Sequence, residues 1–206
     1  MTTNKTNLAI FSAPRAGSNL VYSILSPYMR SKGYLCLPDS KYHLQEALLY
    51  GKPCFFKCFP HSFYSPEILS QTKKITNFIC LERKNVLRQI ISNEVANLRQ
   101  DWENPIPEGT TYHIQISNLE ERAMTVKKYF HYKKLLEIQK IIYYEDFKDK
   151  PFTVPKLLGY EDYDPYRITY LPKPITLYYD TVIENYSEIM HWWHTKGYFL
   201  LKEELS

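Results

Sequence analysis

The sequence predicts an α/β fold with three α/β/α layers around a mostly parallel central sheet of four to five strands. Short apolar runs alternate with helical patterns along the chain, which is typical of parallel sheets covered on both faces. The 206 residues are 44% hydrophobic and 23% charged, as in ordinary globular proteins and unlike disordered ones. No internal repeat or low-complexity stretch is visible, so we expect a single domain over residues 1–206.

Five apolar segments predict the strands of this sheet. Each is short and nearly continuous rather than alternating, as expected for strands that are buried on both faces. The predicted strands are Leu8–Phe11, Tyr34–Leu37, Pro53–Phe59, Ile75–Leu81 and Ile141–Tyr144.

Segments with apolar residues at helical spacing lie between and after these strands. In the first of them Leu20, Ile24 and Leu25 share one face. The predicted helices are Ser18–Arg30, His43–Tyr50, Asn85–Arg99, Leu119–Gln139 and Ile183–His194, with a polar loop over Asp101–Ser117.

Composition limits the class of ligand and the compartment. A net charge of +4 is smaller than expected for a protein that binds the phosphate backbone of nucleic acids, but it suits one small anionic ligand. The polar N-terminus and the absence of any run near ~18 apolar residues predict a cytoplasmic protein without a signal or membrane span. The four cysteines form no Cys-x-x-Cys pair, so we expect free thiols and no metal site.

The first candidate site is the turn Ser12–Asn19, between the first strand and the first helix. Backbone N–H groups and the helix dipole favour an anion at such a helix start, and Gly17 allows close approach. The layout is P-loop-like, but Gly17-Ser18-Asn19 replaces the Gly-Lys-Ser/Thr of a Walker A loop, and the cation Arg15 precedes the glycine. The alternative is an ordinary turn in which Ser18 caps the helix.

The second candidate site follows the Ile75–Leu81 strand. Arg83 lies where that strand ends, and Ser92 lies two turns into the next helix, on one face with Asn85, Arg88 and Gln89. Arg83 and Ser92 would hold a second phosphate through charge-assisted hydrogen bonds. The alternative is a solvated polar helix face.

Together the two sites resemble the sulfotransferase family, whose members use 3′-phosphoadenosine 5′-phosphosulfate (PAPS). The family's Pro-Arg-Ser/Ala-Gly-Ser-Thr/Asn element holds the 5′-phosphosulfate, and here it reads Pro14–Asn19. An Arg followed by a helix Ser holds the 3′-phosphate, here Arg83 and Ser92, nine positions apart. The resemblance implies a single sulfotransferase-like domain that binds PAPS and its product PAP through Arg15, Ala16, Gly17, Ser18, Asn19, Arg83 and Ser92.

The second element, Arg-x-Asn-x-Leu-x-Gln-x-x-Ser, looks most like the bacterial and phage-type carbohydrate sulfotransferases. Tyr143–Phe147 and Glu184–Ile189 also resemble recurring segments of this group, and we expect them to serve structure rather than chemistry. The resemblance covers residues 8–147 most clearly. It implies transfer of the sulfuryl group to a hydroxyl of a small-molecule or carbohydrate acceptor.

Sulfuryl transfer needs positive charge on the leaving phosphate. Arg15 is one candidate. Lys57 is another, because it lies inside an apolar strand, where an anionic ligand would offset its burial. The alternative is a lysine at the strand end whose stem is buried while its ammonium reaches water.

The transfer also needs a base for the acceptor proton. Related bacterial enzymes carry a Glu in a Leu-x-Glu context, and Leu37-Pro38-Asp39 stands in that place, so Asp39 is the first candidate. His61 is the second, by analogy with the histidine base of the cytosolic family members. The alternative for His61 is a surface loop residue.

Two other functions remain open. The shorter Asp39 side chain motivates a non-catalytic nucleotide-binding or scaffold protein that has lost its base. A P-loop kinase is disfavoured, because the Walker lysine is missing and no carboxylate for Mg²⁺ follows a strand.

Overall fold

The computed structural model describes residues 6–37, 49–50, 52–63, 65–101, 104, 106–163 and 179–205. These residues form two compact units. The first contains the described residues of Met1–Lys84 and Tyr132–Pro172, and the second those of Asn85–His131 and Lys173–Ser206. The prediction of a single domain over 1–206 stays a prediction.

The first unit is built on a five-stranded, all-parallel sheet with the order β2-β3-β1-β4-β5. This confirms the α/β fold class, and the end of every strand lies within one residue of its predicted position. The strands are β1 (Asn7–Ser12), β2 (Leu35–Cys36), β3 (Cys54–Cys58), β4 (Thr76–Glu82) and β5 (Ile141–Tyr143).

Nine α-helices occur among the described residues. They are α1 (Ser18–Ser31), α2 (Pro66–Ile75), α3 (Val86–Arg99), α4 (Ile116–Leu135), α5 (Tyr144–Phe147), α6 (Val154–Leu157), α7 (Tyr179–Val182), α8 (Tyr186–Trp192) and α9 (Tyr198–Leu205). Short 3₁₀ turns lie at Pro60–Ser62 and Pro151–Thr153, and a π-helical turn at Trp193–Gly197 joins α8 to α9.

The helices differ from the sequence prediction in several places: α5, α6, α7 and α9 were not predicted, and α8 covers Tyr186–Trp192 rather than Ile183–His194. Helix α4 ends at Leu135 rather than Gln139, because Lys140 already accepts a sheet-type hydrogen bond from the Cys80 N–H at 2.8 Å. Helix α2 was not predicted; its start is fixed by Ser65, whose side chain accepts from the Ile68 N–H. The predicted helix His43–Tyr50 lies outside the described residues, apart from its last two positions.

Apolar side chains cover both faces of the sheet, as a three-layer arrangement requires. On one face α1 packs Val21, Ile24 and Leu25 against strand residues that include Ile10 and Ile79. The opposite face carries a cluster of rings from Phe11, Phe63, Phe78 and Tyr132, with centroids 5.1–6.5 Å apart. This packing fixes the start of α1 at the carboxyl end of β1.

The strand order changes direction between β1 and β4. After β1 the chain continues to β2 on one side of the sheet, and after β4 it continues to β5 on the other side. In open parallel sheets, ligands bind outside the carboxyl ends of the strands at such a point. The loop after β1 and Arg83 after β4 therefore lie where the topology predicts a ligand.

The second unit contains a buried carboxylate on α3, among mainly apolar side chains. Glu94 is fully buried and accepts hydrogen bonds from Arg122 Nε at 2.9 Å and Asn118 Nδ2 at 2.7 Å. Asn185 joins α8 to the chain before α4, because its side chain bonds both the N–H and the carbonyl of Ile114. Within the described ranges, no helix is both long and apolar enough to cross a membrane.

Candidate functional site

The loop between β1 and α1 has the backbone of an anion-binding nest. Arg15 has a φ of +62° and Gly17 a φ of +95°, while Ala16 between them keeps a negative φ. Alternating signs of φ turn successive backbone N–H groups toward one concavity. The predicted phosphate loop thus has the conformation that its proposed ligand requires.

Helix α1 starts without a side-chain cap. Gly17 is the N-cap residue, and the first helical hydrogen bond runs from the Val21 N–H to the Gly17 carbonyl at 3.2 Å. Ser18 is the first residue of the helix and is buried, so the alternative in which Ser18 caps the helix is wrong. The partial positive charge of the first turn is therefore not offset by a capping side chain.

Position 17 must also be a glycine because the Tyr144 ring lies against it. A Cβ atom at position 17 would lie 2.5 Å from Tyr144 Cδ2, closer than real contacts allow. From the sequence alone, the approach of an anion was the expected reason for this glycine. The structure adds an aromatic ring from α5 that occupies the space of a side chain.

Lys57 joins β3 to the first turn of α1. Its side chain is only 5% exposed, and its Nζ donates to Asn19 Oδ1 at 2.7 Å and lies 5.6 Å from the Tyr22 ring centroid. The ammonium group is thus held inside the protein by Asn19, and the alternative of a lysine that extends into solvent is wrong. The contact places a positive charge directly beside the predicted phosphate loop.

Arg83 leaves β4 beside Tyr144. Its guanidinium carbon lies 4.3 Å from the centroid of the Tyr144 ring, and its buried Nε has no hydrogen-bond partner among the residues that the structure describes. The side-chain oxygen of Ser12, at the end of β1, is likewise buried without a partner. A buried polar atom left unsatisfied costs about 1–3 kcal/mol, which a ligand that bonds it would recover.

The positive charges of Arg15 and Arg83 act on the same hydroxyl group. Burial raises the pKa of Tyr144, and the guanidinium groups of Arg83 and Arg15 oppose that rise. The phenol therefore stays protonated at neutral pH, and both arginines lie within electrostatic reach of it. The loop after β1 and the end of β4 thus contribute charge to one region of the first unit.

Helix α5 fixes the chain that follows β4. The Lys84 N–H donates to Glu145 Oε2 at 2.9 Å, and the Lys84 ammonium pairs with the Asp146 carboxylate. These bonds hold the Arg83–Lys84 turn against α5. Tyr144, Glu145 and Asp146 were expected to serve structure, and sequence reasoning did not include Tyr144 in the site.

The second candidate for the base, His61, has no contact with Arg15, Lys57 or Arg83 among the described residues. His61 is exposed in the Pro60–Ser62 turn, and its ring stacks on Phe59 at 5.6 Å. Burial of part of the ring lowers the His61 pKa, so the neutral form predominates at pH 7. Asp39 lies outside the described residues.

Ser92 is buried at 4% exposure on α3, in the second unit. Gln89 on the same helix face is also buried, so the alternative of a solvated polar face is wrong for both residues. Asn85 caps α3 by accepting from the Arg88 N–H at 2.9 Å, and Arg88 is exposed. The joint role of Arg83 and Ser92 stays a prediction.

The described residues contain no group of three or more His, Cys, Asp or Glu side chains placed to hold a metal ion. Comparisons with family models, with curated proteins and with solved structures found no match. The function must therefore be argued from the geometry of the site. A nest of backbone N–H groups with Arg15, Lys57 and Arg83 nearby is suited to binding an anion.

Proposed function

We propose that the protein is a sulfotransferase that moves the sulfuryl group of PAPS to a hydroxyl of a small-molecule or carbohydrate acceptor. The observation that carries the proposal is that one ring, that of Tyr144, contacts both Gly17 and Arg83. The loop at Gly17 and the arginine Arg83, to which the sulfotransferase resemblance assigns two phosphates of one nucleotide, are thus linked through a single side chain.

The donor's 5′-phosphosulfate would bind the backbone N–H groups of Ala16–Asn19 and the Arg15 side chain. Lys57, held beside this loop by Asn19, would stabilise the charge that develops on the leaving phosphate. The unsatisfied Nε of Arg83 supports a role in binding the 3′-phosphate, with Ser92 as its predicted partner.

In the transfer step a new S–O bond forms from the acceptor oxygen while the S–O bond to the 5′-phosphate breaks. The acceptor proton passes to the base, and PAP leaves with the electron pair of the broken bond. Asp39 is the first candidate for the base. His61 is the second, and its lowered pKa supports it, because a general base must be neutral before it accepts the proton.

Nucleotide binding tests the donor assignment. PAP should raise the melting temperature of the wild-type protein more than AMP or ATP with Mg²⁺ does, because only PAP carries a 3′-phosphate. Arg83→Ala should abolish the advantage of PAP. Arg30→Ala is the matched control, since Arg30 is an exposed arginine in the last turn of α1. Equal stabilisation by ATP and PAP would contradict the donor assignment.

Transfer of sulfuryl from PAPS to a panel of phenolic, alcoholic and carbohydrate hydroxyls tests the reaction itself. We expect turnover of at least one acceptor class, with production of PAP. Tight binding of PAP without transfer to any acceptor would instead support the non-catalytic nucleotide-binding alternative. Magnesium-dependent turnover of ATP would support a kinase.

A further inference from the structure

Tyr144 contacts the two halves of the proposed site through different parts of one ring. The Arg83 guanidinium lies over its face, 4.3 Å from the centroid, and the Cδ2–Cε2 edge lies against Gly17. A third contact, edge-on to Phe147 at 5.7 Å, packs the ring against the core. The ring thus also packs against the core cluster.

The strand register explains why Arg83 and Tyr144 meet. Glu82 of β4 pairs with Tyr143 of β5, so the next residue of each strand leaves the sheet at the same level. The bond from the Lys84 N–H to Glu145 then ties the two departing chains together. Arg83 therefore has its backbone fixed to α5 and its guanidinium stacked on the first residue of that helix.

We infer that Tyr144 is a positioning residue for anion binding, whose ring holds the guanidinium of Arg83 next to the Gly17 turn. An arginine side chain has four flexible torsions, and a ligand that had to order them would bind more weakly. The contact with the ring orders the guanidinium in advance, and among the described residues its Nε has no hydrogen-bond partner. This inference rests on the proposed function, because the anion is taken to be a phosphate of PAP.

The contacts assign this role to the ring face rather than to the hydroxyl. Tyr144→Phe should therefore preserve the affinity for PAP, whereas Tyr144→Leu should lower it. Titration of PAP in a calorimeter should give an affinity within twofold of wild type for Tyr144→Phe, and roughly 5- to 30-fold weaker for Tyr144→Leu. Tyr143→Leu is the matched control, because the Tyr143 ring lies under Lys84 rather than Arg83.

A double-mutant cycle separates positioning from a general loss of structure. In the Arg83→Ala background Tyr144→Leu should cost no further PAP affinity, because the residue it positions is gone. Additive losses would overturn the inference, as would an equal loss in Tyr144→Phe and Tyr144→Leu. If PAP fails to bind the wild-type protein, the proposed function is contradicted. If PAP binds wild type and Tyr144→Leu with equal affinity, the proposed function stands and only the positioning role of Tyr144 is contradicted.

A second measurement does not depend on the folding of the Leu variant. In a ¹H–¹⁵N spectrum of the wild-type protein, the Arg83 Nε–H signal, assigned by its loss in Arg83→Lys, should be shielded by the Tyr144 ring. The same shielding should persist in Tyr144→Phe, and PAP should move the signal downfield as a hydrogen bond forms. An unshielded signal, or one that PAP leaves unmoved while it binds, would overturn the inference.

Discussion

Lys57 Nζ donates a hydrogen bond to Asn19 Oδ1 at 2.7 Å, and this bond joins the third strand to the first turn of the first helix. The lysine is almost fully buried, so its charge acts close to the proposed phosphate loop with little screening by solvent. The bond also explains why a lysine is found inside the apolar run Cys54–Cys58.

Lys57→Met tests whether this charge acts on the leaving phosphate. Methionine keeps an unbranched apolar stem but removes the ammonium, so we expect kcat to fall roughly 10²- to 10³-fold. PAP affinity should fall much less, because the extra charge of the leaving group develops only in the transition state. Steady-state kinetics with an acceptor from the hydroxyl panel measure both effects. Lys52→Met, at an exposed lysine, is the control, and an unchanged kcat in Lys57→Met would contradict the role.

Asn19→Ala and Asn19→Asp form a matched pair. Alanine removes an acceptor from a buried ammonium and should lower the free energy of unfolding by about 1–3 kcal/mol. Aspartate restores an acceptor and should recover that stability, yet it should weaken PAP binding through repulsion between its carboxylate and the phosphate. Urea unfolding and calorimetry measure the two quantities. Stronger PAP binding by Asn19→Asp would show that the anion does not lie near this side chain.

Gly17→Ala should be strongly destabilising. It places a Cβ at a φ of +95° and 2.5 Å from the Tyr144 ring, so we expect a loss of at least about 1–3 kcal/mol and loss of PAP binding. Gly159→Ala is the control, because Gly159 has a φ of +77° but nothing within 4 Å of the added Cβ. Thermal unfolding of both variants therefore separates backbone strain from the clash. Equal losses of stability would show that the Tyr144 contact contributes nothing.

The pH dependence of stability tests the surroundings of His61. Burial lowers its pKa in the folded protein below the ordinary value of 6.5, so the unfolded chain binds the proton more tightly. The neutral ring therefore favours folding above pH 6.5, and this contribution is lost as the pH falls through the folded pKa. Urea unfolding between pH 8 and pH 5 should show a smaller loss of stability for His61→Gln than for wild type. Identical pH dependences of stability for His61→Gln and wild type would contradict the lowered pKa of His61.

Glu94 should be the most sensitive charged residue of the second unit. Its buried carboxylate accepts from Arg122 and Asn118, so Glu94→Ala removes the buried partner of a largely buried guanidinium and should cost about 3–5 kcal/mol. Glu121→Ala removes an exposed partner of the same arginine and should cost about 0–1 kcal/mol. Chemical denaturation of the two variants tests the difference. Similar losses would show that burial of Glu94 adds nothing.

Much of the first unit could be predicted from the sequence. The strands are short, mainly apolar runs bounded by polar or charged residues, Pro or Gly, and that pattern sets their ends to within one residue. The turn between β1 and α1 could also be located, because Gly17 and Ser18 stand between a buried strand and an amphipathic helix; its binding of a phosphate stays a prediction. Helix α2 was missed, although Ser65 and Pro66 form a helix-start signal; of Pro66–Ile75 only Thr72 is buried, so the helix contributes little to the core.

The partners within the site were less accessible to sequence reasoning. Tyr144 meets Arg83 because of the register between β4 and β5, and register depends on pairing between segments about 60 residues apart. The bond between Lys57 and Asn19 depends in the same way on the neighbouring positions of β3 and β1. A tyrosine at the end of a predicted strand was the available signal, since the carboxyl ends of parallel strands meet at one edge of the sheet.

The central claim is that Arg83 recognises the 3′-phosphate of a nucleotide whose 5′ end lies in the Gly17 loop. The most direct test is the ratio of the Kd values of AMP and PAP, measured by calorimetry for wild type and Arg83→Ala. We predict that wild type binds PAP at least roughly 10- to 100-fold more tightly than AMP, and that the ratio falls to about 1 in Arg83→Ala. The claim would be contradicted if wild type bound AMP and PAP with equal Kd values. It would also be contradicted if Arg83→Ala left the ratio of the two Kd values unchanged.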